Sequence, residues 1–233
     1  MSQKWVVFDF CETLVNLQSA DAFVDFATQE ERRLWRSFWR KIIAIFERAK
    51  VFALAQKWFP KYNLEKRMRI FLLRGLSVEV LERRAQEFAE KVLSQHENQA
   101  LMERLKMHQK EGDIIEISSG GLHVYLKYWA KEHSIDLVDA THLGAQKGRV
   151  TGFIRGSDCM YEEKVNRLNH ALKCTKSREG LFRVVYSDSF TDLPLFQWAD
   201  EAWVISYEKK RNWVHNYNFK ELVIGRNNGG LEV

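Results

Sequence analysis

Short apolar runs rich in β-branched residues recur along the chain: KWVVFD (4–9), DIIEIS (113–118), LFRVVYSD (181–188) and EAWVIS (201–206). Each closes on a polar or glycine-bearing segment, as expected of strands buried on both faces of a parallel sheet. Helical periodicity fills the intervals at 97–110, 121–133, 161–173 and 191–198. Strands alternating with helices predict a doubly wound α/β layer. IDLVDATHLGAQKGRVTGFI (135–154) alternates and turns at QKGR, which predicts a β-hairpin or a pair of antiparallel strands beside that sheet.

Residues 16–94 break this rhythm. Apolar residues at 35, 38, 39, 42, 43 and 46 line one helical face, and LSVEVLERRAQEFAEKVL (76–93) repeats the pattern. Two prolines in the whole chain leave long helices possible. The pattern divides the chain into a first strand and loop (1–15), an inserted helical block (16–94) and the remainder of an α/β core (95–233).

Composition changes this picture little. A chain of 233 residues, 45% hydrophobic and 29% charged, has the make-up of an ordinary soluble globular protein. Its net charge of +5 favours anionic partners but is too small to indicate a nucleic-acid binder. Cys11, Cys159 and Cys174 show no CxxC spacing, so neither a disulfide scaffold nor a zinc site is expected, and the scattered histidines suggest no metal site. His96, His108, His133 and His215 read as surface or loop residues. No run of about 18 apolar residues is present, so no membrane insertion is expected. The N-terminus carries no signal-like segment, which makes the cytoplasm the expected location.

The polar clusters carry the chemistry. Ligands of open α/β sheets bind at the carboxyl ends of strands. Asp9 closes the first strand, Ser119-Gly120-Gly121 follows the second, Asp188 and Asp192 follow RVVYS, and Lys164 opens a helix. Taken singly, each reads as a turn, cap or solvated residue. Together, carboxylates, a hydroxyl beside glycines and a lysine make a site for Mg²⁺ and a phosphate. An aspartate in such a site is a credible nucleophile, because it can form an aspartyl-phosphate.

These residues, in this order, resemble the haloacid dehalogenase superfamily and, within it, the phosphoserine-phosphatase-like subgroup (subfamily IB), from about residue 5 to 205. FDFCETLV is similar to the first motif, a hydrophobic strand followed by D-x-D-x-T. The resemblance implies a Rossmann-like core with an inserted all-helical cap, Asp9 as nucleophile and Thr13 as a loop-fixing hydroxyl. ISSGG resembles the second motif, with Ser119 and Gly120 holding phosphate, and Lys164 in CMYEEKVNRL matches the third. YSDSFTDLPLF resembles the fourth, which implies Mg²⁺ at Asp9, the Cys11 carbonyl and Asp188, with Asp192 a second acidic anchor of that site. The implied activity is hydrolysis of a small phosphorylated metabolite.

Two positions depart from the family pattern. Cys11 stands where the family has the aspartate that moves the proton. A thiol, with an ordinary pKa near 8.5, is shorter and a poorer hydrogen bonder than a carboxylate. This leaves open a slow phosphatase, an enzyme for good leaving groups, or a non-catalytic phosphate-binding protein. Glu12 is a possible substitute carboxylate. Gln18 falls where phosphoserine phosphatases carry a glutamate for the substrate ammonium, which argues against phosphoserine; otherwise it serves the start of the helix. Arg32, Arg33, Arg36, Arg40 and Lys41 crowd the first long helix and read as a solvated charged face, the alternative being a rim that attracts an anionic substrate. LWRSFWRKIIAIFERAKVF (34–52) also suits an interfacial amphipathic helix, so a membrane-surface protein is a further alternative, against packing of its aromatic face inside the helical block.

Overall fold

The computed structural model describes residues 3–30, 34–59, 61–174 and 178–225. Among them, seven strands form one sheet in the order β4-β3-β2-β1-β5-β6-β7. These are β1 (Lys4–Phe8), β2 (Ile114–Leu122), β3 (Leu137–Gln146), β4 (Arg149–Arg155), β5 (Phe182–Ser187), β6 (Glu201–Tyr207) and β7 (Lys220–Ile224). All neighbours are parallel except β3 and β4, the expected hairpin, whose first strand joins the main sheet beside β2. β1 is central, paired on both edges, and its alternation divides the core. Val6 and Phe8 face one side of the sheet, Trp5 and Val7 the other, and all four are fully buried. Each such side chain contributes roughly 1.5–3 kcal/mol by leaving water.

Between β1 and β2 lie α1 (Ser19–Thr28), α2 (Leu34–Arg48), α3 (Val51–Trp58), α4 (Leu64–Phe71), α5 (Val78–Lys91), a 3₁₀ turn at Leu93–His96 and α6 (Gln99–Glu111). Side-chain caps define two starts: Asn63 accepts from the Lys66 N–H (3.0 Å) before α4, and Ser77 from the Val80 N–H (3.2 Å) before α5. Gly112, at φ +75°, ends α6 in the left-handed conformation that glycine tolerates best. Phe23, Val24, Ile43, Phe52 and Phe88 of this block join the core on the Val6–Phe8 side of the sheet. The remaining helices are α7 (His123–Glu132), α8 (Glu162–Cys174), α9 (Leu193–Trp198), preceded by a 3₁₀ turn at Phe190–Asp192, and α10 (Asn212–Asn216).

Four details differ from the sequence expectations. β2 does not end at Ser118 but runs through Gly120 and Gly121 to Leu122, with a register shift against β3. A Cβ on Gly121 would lie 2.9 Å from the Tyr125 hydroxyl, so the strand continues where a side chain would block it. Arg36 is buried rather than solvated; its guanidinium donates to the Leu72 (2.8 Å) and Arg74 (3.2 Å) carbonyls, which lack helical donors at the end of α4. Arg40 and Lys41 are exposed as expected, and Arg32 and Arg33 lie outside the described residues. Phe38 is exposed, whereas Trp35, Trp39 and Phe46 pack against the core. His108 is buried, with Nδ1 2.7 Å from Asp113 and Nε2 3.1 Å from the Tyr186 hydroxyl.

Candidate active site

β1, β2 and β5 end side by side, and a cavity of about 320 Å³ opens beyond them. Asp9, Cys11, Gln18, Ser119, Gly120, Lys164, Asp188 and Asp192 all line it, so these eight positions, far apart in sequence, are brought to one place. The Asp9 N–H donates to the Tyr186 carbonyl (2.9 Å), extending the ladder one step beyond β1 and fixing where its side chain emerges. Lys164, from the first turn of α8, donates to Asp9 Oδ1 and Asp192 Oδ2, each at 2.7 Å. Asp192 Oδ2 also accepts from Ser187 Oγ (2.6 Å). Thr13 fastens the loop after β1 to the β5 loop: its hydroxyl accepts from the Asp188 N–H (3.1 Å) and lies 3.4 Å from both Asp9 Oδ2 and Asp188 Oδ1.

The serines separate by strand alternation. Ser119 faces the cavity with Oγ accepting from the Gly121 N–H (3.0 Å), whereas Ser118 points toward Cys159 and does not line it. Gly120 is required by a close approach, since a Cβ there would come within 2.9 Å of the Met160 side chain. Gln18 precedes α1 without making a side-chain cap and reaches the cavity. Glu12 does not line it; its backbone is left-handed (φ 53°) and its carbonyl accepts from the Tyr207 hydroxyl (2.5 Å).

The electrostatics are those of crowded, desolvated carboxylates. Burial raises the Asp9 carboxyl to about 6 against the pull of Lys164, and burial together with Asp9 raises Asp188 to about 8. Burial works against the Lys164 charge, but Asp192 and Asp9 outweigh it and hold its pKa above the ordinary lysine value. Burial and the neighbouring Asp9 push the Cys11 thiol up to about 11. Cys11 Sγ lies 3.0 Å from Ser19 Oγ, which is 2.7 Å from the Tyr125 hydroxyl, and that hydroxyl accepts from the Leu122 N–H (2.9 Å).

Several residues on this site were not read from the sequence. Lys66 of α4 is buried with its ammonium on the Gly120 carbonyl (2.5 Å) and on Asp158, whose other partner is Thr141 Oγ1 (2.6 Å). A lysine in LEKRMR carries no local signal of this; only the tertiary packing shows it. Asp21 and Glu65 also line the cavity, and Arg69 stands 3.5 Å and 3.3 Å from their carboxylates. Arg211 donates to the Asp188 carbonyl.

No curated protein matches the chain. Its fold is similar to that of a Bordetella pertussis Tohama I protein of unknown function (20% identity, TM-score 0.74, covering 95% of this chain and 99% of that one). It is also similar to a phospho-aspartyl intermediate analogue of phosphoserine phosphatase (20% identity, TM-score 0.63, 96% and 94% covered). A phosphoserine phosphohydrolase-like protein from Francisella tularensis subsp. tularensis SCHU S4 aligns at 17% identity and TM-score 0.64, over 94% and 95% of the two chains. The sequence model of the haloacid dehalogenase-like hydrolases matches residues 6–197, which include Asp9, Ser119, Lys164, Asp188 and Asp192. The chain therefore belongs to the haloacid dehalogenase-like hydrolases.

Proposed function

We propose that this protein is a magnesium-dependent phosphatase that hydrolyses a small phosphomonoester through an aspartyl-phosphate on Asp9. The observation that carries this reading is Lys164 bridging Asp9 and Asp192 at 2.7 Å each, in a cavity shared with Ser119, Gly120 and Asp188. Asp9 attacks phosphorus, Lys164 orients its carboxylate, and Ser119 with the Gly120 N–H receives the phosphoryl oxygens. Asp192, already engaged by Lys164 and Ser187, positions that lysine.

The donor set fits a divalent cation. Buried Asp9 and Asp188 present hard oxygen ligands whose ionised form burial disfavours, and a divalent cation would favour that form. Asp9, Asp188 and the Cys11 carbonyl would hold Mg²⁺, which supplies charge neutralisation for the incoming phosphate. Residues 16–94 act as a cap, contributing Gln18, Asn63 and Lys66 to the cavity wall.

Cys11 is the proton donor in this reading. Cys11 Sγ, Ser19 Oγ and the Tyr125 hydroxyl form a chain (3.0 and 2.7 Å) that ends on the Leu122 N–H. With Ser19 as the donor to Cys11 Sγ, the thiol hydrogen is free to turn to the cavity that Cys11 lines. The thiol protonates the departing oxygen, and the thiolate takes a proton from the water that hydrolyses the aspartyl-phosphate. A thiol with a pKa of about 11 is a weak acid, so good leaving groups are favoured. Gln18 is uncharged, and the carboxylates on that wall face Arg69, which makes an ammonium-bearing phosphate a poor substrate.

The test is phosphate release from a panel of aryl, acyl, sugar and amino-acid phosphates with Mg²⁺ or with chelator. Magnesium-dependent turnover that rises with leaving-group acidity is expected. Absence of release from every compound, with beryllium fluoride still bound, would instead assign a phosphate-binding protein without turnover.

A further inference from the structure

We propose that the outer face of the α2–α3 hairpin docks this protein on the surface of an anionic lipid bilayer. On α2, Leu34, Phe38, Lys41, Ile45 and Arg48 follow one another at spacings of four, three, four and three residues, which makes a single helical stripe. All five are exposed, Leu34 at 91%, Phe38 at 59% and Ile45 at 60%. The inward stripe is a different one, carrying Ile43 and Arg36 with Trp35, Trp39 and Phe46 against the core, so this helix is apolar on two faces. Leu54, Lys57, Trp58 and Phe59 on and after α3 are exposed as well. Tyr62, also exposed, lines an apolar cleft of about 230 Å³ with Trp39, Phe71 and Phe153.

Charge selects the occupant. Residues 34–61 contain seven lysines and arginines against one acid, Glu47, a net +6, and all seven cations but buried Arg36 are exposed. The whole chain carries +5, so the rest of the molecule is close to neutral at −1. The entire positive excess thus lies on the segment that exposes the apolar side chains. A second copy of this face would set like charges against each other, which disfavours self-association. The cations are spread over the length of the hairpin, about 22 Å along α2 alone, rather than gathered around one recess. That distribution matches the diffuse field of anionic headgroups. Tryptophan, phenylalanine and tyrosine suit the boundary between headgroups and acyl chains, and lysine and arginine the phosphate level. Attachment is peripheral, because no helix among the described residues is long and apolar enough to cross a membrane.

The hairpin also adjoins the cavity. Gln56 of α3 donates to the Tyr161 hydroxyl (3.0 Å), and Lys61 pairs with Glu162 (2.9 Å), beside Met160 and Lys164 of the cavity wall.

The experiment is co-sedimentation of the full chain with vesicles of phosphatidylcholine alone or of phosphatidylcholine with phosphatidylglycerol. The wild type is expected to pellet with the anionic vesicles only, and to be released by added salt. The triple change Lys41→Glu, Arg48→Glu, Lys57→Glu should lower partition by about 100-fold or more. Leu34→Ser, Phe38→Ser, Ile45→Ser should lower it by about 10-fold or more. Both variants should keep the wild-type far-UV spectrum and the wild-type rate on any soluble phosphomonoester. Failure of the wild type to pellet with anionic vesicles, or equal pelleting with neutral ones, overturns the proposal without touching the phosphatase reading. So does a concentration-dependent dimer that forms without lipid and is lost in the same variants.

Discussion

The strand-end cavity and the α2–α3 hairpin handle charge in opposite ways. In the cavity, carboxylates are desolvated and held by cations and hydroxyls of other segments: Lys164 joins Asp9 to Asp192, and Thr13 joins the Asp9 and Asp188 loops. On the hairpin the cations and apolar side chains of the outer stripe face solvent. The first region is complete within the chain and has room for a small anion; the second becomes complete only against something external. Substitutions in the cavity should therefore change chemistry and stability together, and substitutions on the outer stripe should change neither.

The largest effect expected is on turnover. Asp9→Asn should lower phosphate release by ~10⁴-fold or more while leaving the fold intact, because the nucleophile is lost; wild-type-like release would misplace the reacting group. Next is Lys164→Met, which leaves Asp9 and Asp192 buried without their shared cation. It should cost ~3–5 kcal/mol in urea unfolding, and a loss within error of zero would show that the cavity is not self-contained. Cys11→Asp follows: it should raise alkyl-phosphate turnover by up to ~10²-fold and flatten the dependence on leaving-group acidity. An unchanged dependence would mean that another group moves the proton.

Metal removal tests the same region by pH. In chelator, Asp9 titrates near 6 and Asp188 near 8, both above their ordinary value of 3.8, because burial favours the neutral form. The folded state then binds more protons than the unfolded chain from about pH 4 to about pH 8. Stability should therefore be fullest at the acid end of that window and fall as pH rises through it. A decline in melting temperature of about 5–10 °C is expected, reversed by Mg²⁺; a flat profile would contradict the desolvated reading. The smallest effect is on the hairpin: Phe38→Ser or Ile45→Ser should change stability by no more than ~0.5 kcal/mol. Arg36→Met on the inward stripe of the same helix should cost ~1.5–3 kcal/mol by removing its charge-assisted hydrogen bonds.

How much of this was legible follows from locality. Asp9, Ser119 and Asp188 could be placed because each ends a buried apolar run, and a parallel sheet brings such ends together. Lys164 and Asp192 were placed by their order in the resemblance. Lys66 was not legible, since its pairing with Asp158 spans 92 residues. β7 and α10 were missed because KELVI is an edge strand with two charges in five residues, too little apolar pattern to mark it. Helical periodicity places Phe38 on the packed face, because it falls in the i, i+3, i+4 pattern with Trp35, Trp39 and Ile42. In the helix it lies about 100° from the middle of the buried stripe, at its solvent margin. The pattern reads Arg36 as solvated because it does not show which carbonyls need a donor.

The lysine bridge also orders events during refolding. Lys164 stands 155 residues from Asp9 and 28 from Asp192, and the strand carrying Asp9 is sandwiched between two partners that arrive far later in the sequence. Such high-contact-order links close late, because the loop-closure entropy is lost before the contacts are gained. Helical signal from α1–α5 can return while the ends of β1, β2 and β5 are still apart. Recovery of any phosphate release is then expected to lag recovery of helicity, and the half-assembled chain is one in which the outer stripe of α2 is already presented and the strand-end carboxylates are not.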